Sequence, residues 1–168
     1  DIDKELLGWK KSAIRKPLLL RGARQVGKTQ SVRNLSTQFE NFIEVNFEEN
    51  RKIHSIFNDN LSPAEICENL SAIYGIPIVI GKTLLFFDEI QALPEAIPAL
   101  RYFYEDMKQL PIVAAGSLLE FVLSEHQFSM PVGRIEYLHM GPMTFTEFLD
   151  ALNETRLAST IQNYEMGE

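Results

Sequence analysis

Three runs of this chain are apolar on both sides of an extended backbone: Pro17–Leu20 (PLLL), Thr83–Ile90 (TLLFFDEI, which stops at two carboxylates) and Pro111–Ser117 (PIVAAGS). A strand with one wet face alternates apolar and polar residues, so strands apolar on both faces must be covered on both. Between these runs lie segments at helical spacing. Gly27–Phe39 sets Val32, Leu35 and Phe39 on one side, and Ser62–Gly75 does the same with Ile66, Leu70 and Ile73. Residues Asp1–Lys16 predict a lead-in helix with a stripe of Leu6, Leu7, Trp9 and Ile14, and Glu95–Met107 and Leu118–Leu123 predict two more helices. Asn41–Glu49 and Arg134–Met140 predict further strands. Strand alternating with helix predicts an α/β fold, a parallel sheet with helices on both faces. In such sheets ligands sit beyond the carboxyl ends of the strands.

The first apolar run leads directly into Gly22-Ala23-Arg24-Gln25-Val26-Gly27-Lys28-Thr29, which fits G-x-x-x-x-G-K-[ST] at every position. Glycines let such a loop turn its amides inward as a nest for phosphate oxygens. The helix that follows adds the positive end of its dipole. These residues, with Gln30, are the expected phosphate-binding set; Lys28 reaches the β- and γ-phosphates and the Thr29 hydroxyl serves Mg²⁺. Arg24 and Gln25 touch either phosphate or solvent.

The run Leu84–Phe87 delivers Asp88 and Glu89 to the same end of the sheet. Asp88 is expected to hold Mg²⁺, and Glu89 to orient and deprotonate an attacking water. Two adjacent carboxylates make most sense beside a cation. Ser117 ends its strand as a γ-phosphate sensor, as the first residue of an S-x-x-E capping box with Glu120, or as both. Arg134, after Gly133, either reaches a phosphate or pairs with a surface acid such as Glu136. His54, His126 and His139 have no metal-ligand spacing, and Cys67 has no base nearby in sequence.

Composition limits the classes. The 168 residues, 45% hydrophobic and 23% charged, suit one globular domain with a real core. A net charge of -7 does not support a general nucleic-acid coat, without excluding a local basic groove. A single cysteine rules out an internal disulfide and suits a cytoplasmic setting. The longest apolar stretch, IPIVIGKTLLFF, is cut by Gly81 and Lys82, so no membrane span is expected.

The stretches RGARQVGKT, FFDEIQ, AAGSLLE and especially GRIEYLHMGPMTFTEFL resemble a prokaryotic AAA-like P-loop ATPase group whose members typically carry a C-terminal domain of unknown function. The similarity runs from about Leu7 to Leu149. It implies the ASCE sheet order 5-1-4-3-2, Glu89 as the catalytic glutamate, Ser117 as sensor, and Gly133-Arg134 near the nucleotide. The chain has Ala115-Gly116-Ser117 where that group has Thr-Gly-Ser. The expected organisation is an ATPase domain over residues 1–150 and a tail, 151–168, that opens a further region. The expected function is Mg²⁺-dependent hydrolysis of ATP to ADP and phosphate, which drives or switches the attached domain. Two alternatives stand beside it: a nucleotide-dependent interaction module with little hydrolysis, and a small-molecule kinase. A GTPase is disfavoured, since no N-K-x-D stretch is present.

Overall fold

The structure is a computed structural model that describes residues 2–58, 62–117, 119 and 133–162. Helix α1 (Ile2–Lys11) opens the chain, with Asp3 and Glu5 in its first turn and Lys10 and Lys11 in its last, each matched to the helix dipole. It buries Leu6 and Trp9, and the Trp9 indole donates to Lys16 O at 2.8 Å. The expected stripe is narrower than predicted. Leu7 is exposed, and Ile14 lies beyond the end of the helix in solvent.

The described strands are β1 (Leu18–Arg21), β2 (Asn41–Asn46), β3 (Thr83–Asp88), β4 (Ile112–Gly116) and β5 (Glu136–His139). They form one sheet in the order β2-β3-β4-β1-β5, with every pairing parallel. From the other edge this is the expected 5-1-4-3-2. Helices α2 (Lys28–Ser36), α3 (His54–Asn58), α4 (Pro63–Tyr74) and α5 (Ala99–Asp106) lie between the strands in sequence. Two helices follow the sheet, α6 (Phe145–Ala151) and α7 (Thr155–Gln162).

Successive residues of a strand point to opposite faces, and the core divides accordingly. Leu18, Leu20, Leu84, Phe86, Val113 and Ala115 pack with Leu6, Trp9, Val32 and Leu35. Leu19, Leu85, Phe87, Ile112 and Ala114 pack with Phe57, Ile66, Leu70, Leu100 and Phe103. That is why these strands carry no polar alternation. Phe57 meets Phe47 and Phe87 edge-on, at centroid distances of 5.2 and 5.7 Å. Edge strand β5 is mostly exposed, as its polar residues require.

Several local expectations need correction. The helix predicted from Glu95 breaks into a 3-10 turn at Pro94–Ala96 and then α5, because Pro98 has no N–H to give a continuous helix. Helix α4 starts at Pro63 and is closed by Gly75 (φ 65), and the Ser62 side chain caps none of its amides. Ile73 is exposed, and Cys67 takes its place beside Ile66 and Leu70. A capping box starts α6, with Glu147 N donating to Thr144 Oγ1 at 3.2 Å and Thr144 N to Glu147 Oε2 at 2.9 Å. The helix expected over Leu118–Leu123 lies outside the described residues, apart from buried Leu119. Glu120 and His126 lie outside them too. No described helix is long and apolar enough to cross a membrane.

Candidate active site

The loop between β1 and α2 starts with Gly22 at φ 148. A side chain there would put its Cβ 2.1 Å from the Met140 carbonyl oxygen, so only glycine lets β1 turn beneath the chain leaving β5. Gln25 (φ 65) and Gly27 (φ 100) are also left-handed. Helix α2 follows at once, its first internal bond running from Ser31 N to Gly27 O at 3.0 Å. The amides of its first turn have no partner within the helix.

Lys28 is buried, and its ammonium folds back over the loop to donate to Gly22 O at 2.8 Å and Ala23 O at 2.7 Å. Burial pulls it below its ordinary pKa, while Glu89 and Asp88 oppose that shift. The Thr29 hydroxyl donates to Asp88 Oδ2 at 3.0 Å, and Glu89 N donates to Asp88 Oδ1 at 3.0 Å. Asp88 is 4% exposed. Burial pushes its carboxyl above the usual range; the two hydrogen bonds pull it back, and the Glu89 and Glu44 charges add to the rise.

Glu89 stands just beyond β3 in a left-handed conformation, φ 50 and ψ 44. It lines a cleft of about 280 Å³ together with Arg24, Gln25, Gly27, Lys28, Thr29, Gln30, Arg33 and Ser117. The fold thus gathers the predicted loop, the acid after β3 and the serine after β4 around one opening. Gly22 and Ala23 line a neighbouring cleft, joined to the first through Ser117. Val26 is half-buried under the loop, its Cγ2 3.4 Å from where a Gly22 Cβ would stand.

Arg134 is not brought to this opening. Its Nε donates to Glu105 Oε1 at 3.1 Å, on an acid that also takes Arg101 at 3.0 Å, and it lines a separate surface cleft with Tyr104 and Lys108. Its acid partner is therefore Glu105, not the nearby Glu136. His54 is bonded to Phe47 O at 2.8 Å. Among the described residues no group of three or more His, Cys, Asp and Glu side chains is gathered as a metal cluster. Burial pushes the Cys67 thiol up to about 11, which keeps it unreactive.

Two residues at the site carry no motif signal of their own. Arg33 grips Glu44 at the cleft rim through Nε at 2.9 Å and Nη2 at 2.7 Å. Gln91 donates to Glu89 Oε2. Only the second has a trace in the sequence, as the last letter of FFDEIQ.

A parallel sheet with a glycine-bracketed loop, a buried lysine and two acids at its carboxyl edge defines a nucleotide-binding, ATPase-type core. The AAA domain family matches residues 14–149, and the chain belongs to that family. Among solved structures it is similar to C. elegans PCH-2, at a TM-score of 0.55 and 9% identity over 99% of this chain. It spans 48% of the length of that chain. The likeness is one of fold. No curated protein matches the sequence.

Proposed function

We propose that this core binds ATP with Mg²⁺ and hydrolyses it to ADP and phosphate. The observation that carries the reading is the meeting of Lys28, Thr29 and Glu89 around one cleft, with Asp88 hydrogen-bonded to Thr29 and to the Glu89 amide. The residues fit a magnesium-bound triphosphate. Gly27 brings backbone to the wall of the cleft in a left-handed turn, and the Lys28 ammonium is held by carbonyls rather than by a carboxylate. Asp88 is an acid whose carboxyl burial pushes above the usual range, and a cation beside it would favour the charged form. Thr29 and Asp88 would hold the ion, which would draw charge from the phosphates.

The remaining chemistry falls to the chain. The loop amides and Lys28 bind the β- and γ-phosphates. Glu89 takes a proton from water as the water oxygen bonds to the γ-phosphorus; the bond to the bridging oxygen breaks and ADP leaves. Ser117, at the lip of the same cleft, is suited to contact the γ-phosphate. Arg134 can join only if its pair with Glu105 opens. The prokaryotic origin and a following domain that this core drives or switches rest on the family resemblance. The cytoplasmic setting rests on the single cysteine.

Thermal unfolding with and without Mg-ATP tests the binding step. A ligand specific to the native state adds about 2.7 kcal/mol at a hundred times its Kd. Lys28→Ala removes most of that gain. Equal stabilisation of the variant and the parent would refute the site.

A further inference from the structure

Gln91 lies in the 3-10 turn after β3, two residues beyond Glu89. Its two amide atoms are in contrasting situations. Nε2 donates to Glu89 Oε2. Oε1 is buried without a hydrogen-bond partner among the described residues, and it presses on the end of β4. A Cβ on Gly116 would stand 2.1 Å from it. Gly116 has an ordinary strand backbone, so its lack of a side chain answers to space and not to φ. Glu89 meanwhile keeps a left-handed backbone, which is uncommon for a side chain of its kind.

Among the described residues, fold stability does not account for this arrangement. A buried amide oxygen left unpaired costs free energy, and an apolar side chain of the same shape would avoid the cost. What the amide does supply is a donor fixed on one carboxylate oxygen of Glu89, within the wall of the phosphate-loop cleft. Backbone strain and unpaired buried groups of this kind collect at functional sites.

We propose that Gln91 is a positioning residue for Glu89. It clamps Oε2 and turns Oε1 toward the attacking water, and Gly116 is the gap in β4 that admits its amide. The inference rests on the hydrolytic reading of Glu89. Gln91 need not touch nucleotide, and its loss should act on turnover and not on binding.

The test uses the full-length protein and three chains: the parent, Gln91→Met and Gly116→Ala. Gln91→Met keeps the shape, removes the donor and removes the unpaired oxygen. Expected for it are a kcat lower by roughly 10- to 100-fold, the scale of a misplaced reacting group, a KM within about twofold, and a nucleotide-free Tm equal to or above the parent's. Gly116→Ala, which leaves Gln91 intact but fills its gap, should lower kcat in the same way. Parent-like turnover by Gln91→Met in an active protein overturns this inference alone. A Tm lost in proportion to turnover makes Gln91 a packing residue and overturns it too. A parent that binds Mg-ATP but releases no phosphate overturns the hydrolytic reading and this inference with it.

Discussion

Thr29 Oγ1 and Asp88 Oδ2 lie 3.0 Å apart and join the first turn of α2 to the last residue of β3. The two residues come from different elements, and each is poor at its place alone. The hydroxyl has no other acceptor described, and the acid is buried beside a second carboxylate. Together they form a pair of oxygen donors of the kind a hard cation prefers.

Thr29→Ala and Asp88→Asn should therefore act as a unit on the Mg-ATP-dependent gain in melting stability. Each alone removes much of it, and the double variant loses little more. The expected coupling falls in the range of about 0.5–3 kcal/mol for residues sharing one partner. Strictly additive losses in a double-mutant cycle would show that the two do not serve the same ion.

The loop geometry makes a contrast between two glycines. Gly22→Ala meets Met140 O at 2.1 Å and must hold φ 148, so it should cost at least about 1–3 kcal/mol. Gly8→Ala, inside α1 with no atom within 4 Å of the new methyl, should gain about 0.5–1 kcal/mol. Denaturant unfolding of both variants reads the signs. A neutral Gly22→Ala would mean that β5 does not close over the loop.

Cys67 supplies a pH signature. Its native thiol is raised from 9.0 to about 11, so below pH 9 the thiol is protonated in both folded and unfolded states. Between the two values the unfolded chain has lost the proton that the folded chain keeps. Stability should then fall with rising pH, by about 1.4 kcal/mol per unit from this group. Cys67→Ala should remove that share of the slope between pH 9 and 11. An unchanged slope would contradict the burial of the thiol.

The fold was legible where the physics is local. Leu18–Leu20 and Leu84–Phe87 declared a doubly covered sheet because each strand must feed two core layers. The order of the strands came only with the family resemblance, since pairing is not written in any one segment. The Glu95–Met107 helix was overextended because an apolar rhythm hid the missing donor of Pro98. At the site, the loop and the two acids were legible because phosphate and metal binding demand residue types at fixed spacing. Gln91 was not, because its meaning depends on Gly116, which another strand brings against it. Arg134 named its own need for an acid, but the acid came from α5 rather than from β5.

The central claim is that Glu89 activates water at a nucleotide held by the Gly22–Thr29 loop. Phosphate release by the full-length protein and its Glu89→Gln variant, measured at matched occupancy with Mg-ATP, tests it directly. The account predicts unchanged nucleotide affinity and turnover lower by about 10²- to 10⁴-fold, the usual cost of losing a general base. Equal rates of release from the two proteins would contradict it.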